Sequence, residues 1–414
     1  LPPKNVIKKV NNLKIHSIEY SHSAGMEKYR KKLSRYYGEI SKEISYENIL
    51  ITTGGSEALN TILNCVCDPG DEIIIPDPYY ANYNGFSNAT SIKIKPILCD
   101  IKNSFQLPKI KQFEAKINEK TKAILICNPG NPTGALYGIQ ELKALSKIIK
   151  KHNIFLIADE VYREFIYDNS KHYSVLELKN ILKHTIVIDS VSKRYSMCGA
   201  RIGAIVTRNQ KVIDAALKFS QARLSPPTLG QLASMEALNT KKSYFKKVVK
   251  EYDKRRKVLI NNLNKIDGVT CPMPKGAFYC IAELPIKNAE KFCRWLLEKF
   301  KFKNTTVMLA PANGFYSKQN KINNQVRIAY VLESKKLKLA VEIIKKGIEI
   351  YKDESYNKYL SLINLKLSIS DLQLSLIAYS DHSFIICCFN LLVPANLSKK
   401  ELKKLALYSL GVFL

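Results

Sequence analysis

The sequence lacks the long apolar runs that are typical of membrane-spanning proteins and the CxxC cysteine pairs that are typical of zinc-binding proteins. Its longest apolar stretches, such as residues 383–393, fall well short of the ~20 residues that a membrane-spanning helix needs, so we expect no membrane span. Its ten cysteines form no CxxC pair and have no histidine at zinc-finger spacing, so we expect no metal site. Most of them lie in apolar runs as free thiols, which favours a reducing, cytoplasmic compartment.

Acidic residues are few relative to basic ones. The chain has 65 Lys and Arg against 36 Asp and Glu, which gives a formal net charge of +29. Such an excess would suit nucleic acid or an anionic membrane if the basic residues were clustered, but they are scattered along the chain. We therefore attribute the charge to overall composition and expect neither a nucleic-acid nor a membrane partner.

The length and composition predict a folded protein with more than one part. The chain has 414 residues, of which 46% are hydrophobic and 24% charged, and a typical domain has about 150 residues. The first residues, LPPKNVIKKV, include neither an initiator methionine nor the apolar core of a signal peptide. We expect residues 1–17 to be the remnant of an N-terminal segment.

Residues 18–240 alternate short β-branched runs with helical patterns. The runs are apolar at consecutive positions, which is typical of strands buried on both faces of a parallel sheet. They are DEIIIP (71–76), KAILIC (122–127), IFLIAD (154–159), TIVIDS (185–190) and IGAIVT (202–207). The alternation predicts a large α/β domain with a mostly parallel, doubly wound sheet.

The remaining sequence predicts a second domain and an extension. Residues 241–353 contain a long charged helix, the strand-like segment CPMPKGAFYCIAEL, a helix around Trp295 and the strand QVRIAYV. This order indicates a smaller C-terminal α/β domain. Residues 354–414 are rich in Leu and Ser without a chemical motif, and we expect an extension of unknown structure.

Polar segments follow three of the predicted strands. They are NPGNPTG (128–134), the tetrapeptide Asp159 to Tyr162, and the tetrapeptide Ser190 to Lys193. Ligands of open α/β sheets bind beyond the carboxyl ends of the strands, so these segments should open onto one crevice. That crevice would receive an amide, a carboxylate with a phenol, and a lysine.

This combination suits pyridoxal phosphate. The amine of Lys193 can form a Schiff base with the aldehyde, while Asp159 can hold the ring nitrogen protonated so that the ring withdraws electrons. Tyr162 and Asn131 can donate hydrogen bonds to the ring oxygen. The glycines and the hydroxyl of TTGGSEAL (52–59) precede a helix, whose free N–H groups favour a phosphate.

Two further side chains complete this predicted site. Arg201 can add a two-pronged contact to the phosphate, and Tyr80 of PDPYYANY can stack on the ring. Taken singly, a lone SxSK or a glycine-rich turn is common in unrelated proteins. Their joint occurrence, in this order and at strand ends, indicates one site.

The chain resembles the class I pyridoxal-phosphate aminotransferases of the aspartate aminotransferase type, which have the fold type I architecture. The resemblance covers residues 1–352 and rests on YSHSAG, LITTGGSEAL, PYYANYNGF, ADEVYREF and SVSKRYSMCGARIG. It implies that Lys193 binds the cofactor and carries the proton, that Asp159 pairs with the ring nitrogen, and that Tyr162 contacts the ring hydroxyl. Asn131 would contact both the ring oxygen and the substrate carboxylate.

The resemblance also implies the phosphate and substrate contacts. The phosphate cup maps onto Gly55, Ser56, Ser190 and Arg201. Tyr20 would reach the phosphate of a partner subunit, so a homodimer is expected. Arg327 matches the arginine that binds the substrate α-carboxylate, and Arg223 is a candidate for a second carboxylate.

The function implied by the resemblance is the transfer of an amino group from aspartate to 2-oxoglutarate. Three alternatives stay open at this point. A fold type I C–S lyase or decarboxylase would keep Lys193 and Asp159 but would need no acceptor oxo acid. A regulator that senses pyridoxal phosphate would need a DNA-binding module, and an inactive fragment would bind cofactor without turnover.

Overall fold

The structure is a computed structural model that describes residues 1–317, 320 and 322–368. The part of the predicted 354–414 extension from residue 369 onwards lies outside the described residues. Within the described part, the compact unit Leu1–Glu349 contains both sheets and the residues predicted to form the site. The division of this unit at residue 240 into a large and a small domain stays a prediction.

A seven-stranded sheet forms the centre of this unit. Its strands are β1 (Ile49–Thr52), β2 (Glu72–Asp77), β3 (Lys93–Leu98), β4 (Thr121–Cys127), β5 (Phe155–Asp159), β6 (Thr185–Ser190) and β7 (Gly203–Val206). Their order across the sheet is β1-β7-β6-β5-β4-β2-β3. The pairs from β6 to β3 are parallel, and β7 is antiparallel to both of its neighbours, so the prediction of a mostly parallel sheet is confirmed.

Two helices precede these strands, and the others lie between and after them. In chain order they are α1 (Lys4–Asn11), α2 (Glu27–Gly38), α3 (Gly54–Val66), α4 (Asn82–Ala89), α5 (Ile110–Glu114), α6 (Ile139–His152), α7 (Val191–Arg194), α8 (Gln210–Ala222), α9 (Thr228–Ala237), α10 (Lys242–Leu263), α11 (Ala289–Glu298) and α12 (Ser334–Ser368). None of the described helices is both long and apolar enough to cross a membrane.

The sheet is covered on both faces because successive side chains of a strand project to opposite sides. In β6, Val187 packs into one hydrophobic core cluster, whereas Ile186 and Ile188 pack into a second one. Ile49 and Leu50 of β1 divide in the same way. This arrangement explains the continuous apolar runs in the sequence and confirms the doubly wound α/β fold.

A second, three-stranded sheet follows in the chain. Its strands are β8 (Tyr279–Glu283), β9 (Ala310–Pro311) and β10 (Gln325–Ala329), in the order β8-β10-β9, and all pairs are antiparallel. The central strand carries Arg327 opposite Ile281 on one side and Ala310 on the other. Arg327 therefore lies on a strand that is held along both edges.

The carboxyl ends of three central strands lie side by side. Cys127, the last residue of β4, pairs in register with Asp159, the last residue of β5, and Asp159 pairs with Ile188 of β6. The three polar segments that follow these strands consequently emerge at one edge of the sheet. The sequence-based prediction of a shared crevice is correct.

Candidate active site

A cavity of about 280 Å³ lies at this edge of the sheet. It is lined by residues from the strand ends, from the start of α3, from α7 and from the second sheet. Ten residues predicted from the sequence line it: Gly55, Ser56, Tyr80, Asn131, Asp159, Tyr162, Ser190, Lys193, Arg201 and Arg327. Asp159 and Lys193, on which the chemical interpretation depends most, therefore share one cavity.

Asp159 is a buried carboxylate at the end of β5. Its Oδ2 accepts a hydrogen bond from the hydroxyl of Tyr83 at 2.9 Å, and its Oδ1 lies 3.4 Å from the backbone nitrogen of Val161. Burial raises the pKa of Asp159 to about 6, although the Tyr83 hydrogen bond acts in the opposite direction. Within the described part of the chain, no lysine or arginine forms an ion pair with Asp159. A cationic ligand atom would stabilise this carboxylate.

Lys193 lies on α7, the short helix that follows β6. Ser190 caps this helix, since its Oγ accepts the backbone N–H of Ser192 at 3.1 Å. Ser190 Oγ also donates to the carbonyl of Ile202 at 3.1 Å. The half-buried amine of Lys193 makes no hydrogen bond or ion pair with the rest of the described chain. It is available to a group bound in the cavity.

The start of α3 forms the anion-binding end of the cavity. Thr53 precedes this 13-residue helix without a side-chain cap, so N–H groups of the first turn are available to an anion. Gly54 has a φ of +80°, and a Cβ at this position would collide with the guanidinium of Arg201. Glycine is therefore required for Arg201 to lie against the helix start. The hydroxyls of Ser56 and Ser190 line the same cavity.

Arg327 lies on the side of the cavity formed by the second sheet. Its guanidinium carbon lies 4.8 Å from the ring centre of Tyr279 and 4.5 Å from that of Phe315. One terminal nitrogen donates to Oδ1 of Asn131 at 3.3 Å, and the buried Nε has no hydrogen-bond partner within the described structure. A planar carboxylate would satisfy this guanidinium with two parallel hydrogen bonds.

Three tyrosines complete the aromatic part of the site. The hydroxyls of Tyr162 and Tyr279 lie 3.4 Å apart, and both residues line the cavity. Tyr80 also lines it, whereas the neighbouring Tyr79 is buried and donates to Asn84 at 2.8 Å. The structure thus places the predicted Tyr80, and not Tyr79, where it can contact a bound ring.

Two predicted residues lie away from the cavity. The side chain of Tyr20 is 79% exposed and does not line the cavity within this chain. Arg223 forms an ion pair with Glu57 at 2.8 Å and also donates to the carbonyls of Ser23 and Ile51. These contacts lie within its own chain, while its buried Nη1 has no hydrogen-bond partner in the described structure. Its role as a second carboxylate-binding residue stays a prediction.

Several residues of the site were not predicted from the sequence. They are Tyr83, which binds Asp159; Tyr279 and Phe315, which enclose Arg327; and Cys127, Ser192 and Cys198, which line the cavity. Tyr83 lies within PYYANYNGF, three residues after Tyr80, so it falls in a segment on which the family resemblance rests. No local pattern distinguishes Phe315.

These features fit pyridoxal phosphate. Asp159 is a buried carboxylate with no cationic partner among the described residues, and a protonated pyridine nitrogen would supply one. The unpaired amine of Lys193 suits an aldehyde, and the helix start beside Arg201 suits a phosphate.

The comparisons with known proteins agree with this interpretation. The family model for aminotransferase class I and II matches residues 1–344. The chain belongs to this family. Family membership, together with the relatives described next, makes it a pyridoxal-phosphate-dependent aminotransferase with amino acids and 2-oxo acids as substrates.

Two curated relatives show how far the likeness extends. An aspartate aminotransferase of Pyrococcus horikoshii is 31% identical over 337 residues, which are 80% of this chain and 83% of that protein. A (5-formylfuran-3-yl)methyl phosphate transaminase of Methanocaldococcus jannaschii is 31% identical over 347 residues, which are 83% of this chain and 87% of that protein. Transaminases with different named substrates are therefore similar to this chain to the same degree.

Solved structures show the same fold. The aspartate aminotransferase of Thermotoga maritima has a TM-score of 0.77 and 28% identity, with 84% of this chain and 89% of that chain covered. The Thermus thermophilus enzyme with maleate has a TM-score of 0.77 and 26% identity, with 84% and 88% covered. These likenesses confirm the predicted fold type I architecture.

Proposed function

We propose that this enzyme transfers the amino group of aspartate to 2-oxoglutarate. The observation that carries the proposal is the shared cavity, in which Arg327 faces the same space as Lys193 and Asp159. A guanidinium with an unsatisfied Nε suits the carboxylate that every amino acid and 2-oxo acid carries. The aspartate aminotransferases among the relatives support the choice of substrates.

The proton transfer is assigned to Lys193. Bound pyridoxal phosphate supplies the electron-withdrawing ring that allows a proton to leave the substrate Cα. With substrate in the cavity, Nζ of Lys193 would accept the proton from the substrate Cα as a general base and donate it again as a general acid. Asp159 keeps a positive charge on the ring nitrogen, while Tyr162 and Asn131 donate to the ring oxygen. Arg327, braced by two aromatic rings, orients the substrate through its α-carboxylate.

The remaining predicted contacts hold the cofactor. Gly55, Ser56, Ser190 and Arg201 bind the phosphate, and Tyr80 stacks on the ring. Tyr20, exposed in this chain, would extend to the phosphate of a second copy, which makes the enzyme a homodimer. The free thiols favour the cytoplasm as its compartment. Sedimentation of the purified protein tests whether it is a dimer. The Tyr20→Phe variant should bind the cofactor more weakly but should remain a dimer. A monomer with full activity would contradict this part of the proposal.

A substrate panel tests the reaction. Purified protein loaded with pyridoxal phosphate should convert aspartate and 2-oxoglutarate with a higher kcat/KM than alanine or aromatic amino acids. The activity should require the oxo acid. Release of pyruvate and ammonia, or of carbon dioxide, without an acceptor would instead identify a lyase or a decarboxylase on the same scaffold.

A further inference from the structure

A buried group of charged residues lies next to the cavity residues along the chain. We call Glu160, Arg163, Asp189 and Arg194 the ionic network. Each is exposed by 5% or less, and each directly adjoins a residue that lines the cavity. The adjoining pairs are Asp159 with Glu160, Tyr162 with Arg163, Ser190 with Asp189, and Lys193 with Arg194.

The network is packed against two tyrosines of α2. The guanidinium of Arg163 lies 4.9 Å from the ring centre of Tyr37, and that of Arg194 lies 4.6 Å from the ring centre of Tyr36. Arg163 pairs with Glu160, and Arg194 pairs with Asp189 at 2.6 Å. Buried charges are costly unless they are paired and hydrogen-bonded, so each of these contacts restricts where the chain can lie.

The pair formed by Asp189 and Arg194 spans the segment that carries Lys193. Oδ1 of Asp189 accepts both the guanidinium of Arg194 at 2.6 Å and the backbone N–H of Ser190 at 2.7 Å. Oδ2 accepts the hydroxyl of Tyr37 at 2.7 Å. One carboxylate thus joins the end of β6 to the end of α7 and anchors both to α2.

This anchoring matters because α7 has only four residues. A helix of one turn does not maintain its own geometry, since nucleation costs more than so few hydrogen bonds return. The position of Lys193 therefore depends on tertiary contacts, and the residue next to it in the chain supplies a buried one. Burial alone would raise the pKa of Asp189, but Arg194, Arg163 and Tyr37 hold it below its ordinary value, so the pair is charged at neutral pH.

We propose that Asp189 and Arg194 are positioning residues that hold the amine of Lys193 in place for cofactor attachment. This inference rests on the proposed role of Lys193. It predicts that breaking the pair impairs covalent attachment more than it impairs the binding of a cofactor form that needs no lysine.

The test compares Arg194→Met with Arg256→Met. Arg256 is also a buried arginine in an ion pair, with Asp168 at 2.6 Å, but it does not line the cavity or adjoin a residue that does. The first measurement is the rate at which pyridoxal phosphate becomes linked to Lys193. Samples are reduced at successive times to trap the linkage, and peptide mass mapping then quantifies the modified Lys193. The second is the Kd of pyridoxamine phosphate, which has no aldehyde. Thermal unfolding of both variants measures the general loss of stability.

We expect Arg194→Met to slow the linkage by about tenfold or more, because small displacements of a reacting group have large effects on rate. The Kd of pyridoxamine phosphate should change much less, and Arg256→Met should link at the rate of the unmodified protein despite a lower Tm. Arg194→Lys should recover most of the rate, since it restores a cation beside Asp189.

Two results would overturn the inference. They are linkage by Arg194→Met at the unmodified rate, and equal slowing by Arg256→Met. If Arg194→Met does not fold, Tyr37→Phe replaces it, and Tyr167→Phe is the control at a second buried tyrosine. Tyr37→Phe should slow the linkage by about threefold, whereas Tyr167→Phe should leave the rate unchanged. Equal rates for these two variants would also overturn it. If the unmodified protein fails to link at Lys193, the proposed function fails instead.

Discussion

The hydroxyl of Tyr83 lies 2.9 Å from Oδ2 of Asp159, and both residues are buried. The tyrosine thus provides a neutral donor to a carboxylate that has no cationic partner within the described chain. Such a carboxylate is destabilised as an anion, which is why its pKa is raised to about 6. The arrangement leaves Asp159 ready to stabilise a positively charged ring nitrogen.

This relationship predicts a stability effect that depends on pH. Because the pKa of Asp159 is raised from 3.8 to about 6, the folded state is favoured by protonation, and stability is lost as pH rises through this interval. Asp159→Asn should therefore stabilise the cofactor-free protein at pH 8, by about 2–3 kcal/mol, and give no gain below pH 4. Urea unfolding at both pH values measures the difference.

The same substitution should remove the function while it adds stability. Without the carboxylate, the ring nitrogen loses its charge, so proton abstraction in single-turnover experiments should slow severely. Asp71→Asn serves as the control, because Asp71 lies beside Lys122 outside the cavity. The Asp71→Asn variant should show no increase in the free energy of unfolding at pH 8. A cofactor-free Asp159→Asn protein that is less stable than its parent at pH 8 would contradict the prediction.

Replacement of Lys193 should separate binding from catalysis. Lys193→Ala should lose the covalent linkage and its visible absorbance, and kcat should fall by roughly 10²–10⁴-fold or more, since no other amine carries the proton. The fold should persist, because the side chain of Lys193 makes no hydrogen bond or ion pair with the described chain. Lys291→Ala, at an exposed position of α11, should behave like the parent. A parental spectrum from Lys193→Ala would assign the linkage to another residue.

Arg327 should act on substrates and not on the cofactor. Arg327→Lys keeps the charge but loses the two parallel donors, so kcat/KM should fall by about 10–100-fold for both amino acid and oxo acid. The Kd of pyridoxal phosphate should stay the same. Arg294→Lys, at an exposed position of α11, controls for the exchange itself. Equal losses in cofactor affinity and kcat/KM would argue against a role confined to substrate binding.

The aromatic enclosure of Arg327 gives a smaller effect. Phe315→Leu removes one of the two rings that face the guanidinium, a contact that contributes about 0.5–2 kcal/mol. We expect kcat/KM to fall by about 2–30-fold, with most of the change in KM. In an Arg327→Lys background, Phe315→Leu should lower kcat/KM by a smaller factor, because an ammonium group does not stack on the ring as a planar guanidinium does. Additive losses in the double variant would show that the two residues act independently.

The central strands could be predicted from the sequence because burial on both faces leaves a continuous apolar run. β2, β4, β5, β6 and β7 lie within about one residue of the predicted runs. β1 and β3 at the two sheet edges escaped prediction. β3 (Lys93–Leu98) is partly exposed and contains two lysines, which interrupt its apolar run, and β1 has only four residues. The antiparallel direction of β7 depends on pairing between distant residues, which no local pattern records.

The residues of the site also divide into those that the sequence indicates and those that it does not. Asp159 ends a strand, and Asn131 and Lys193 follow strand ends closely, so their positions in the chain indicate where they meet. Phe315 contacts Arg327 because of the way the chain folds around β10, the strand that carries Arg327. The residues around Phe315 contain no motif that would indicate this contact. The roles of Tyr20 and Arg223 depend on a second subunit, and these two stay predictions.

The position of the ionic network also restricts the number of residues in this part of the chain. Asp189 and Ser190 are successive residues of β6, so one projects away from the cavity and the other towards it. A one-residue insertion or deletion there would exchange their sides, placing a carboxylate among the phosphate contacts and a hydroxyl opposite Arg194. Redesign of this turn can therefore vary its side chains but must keep its length.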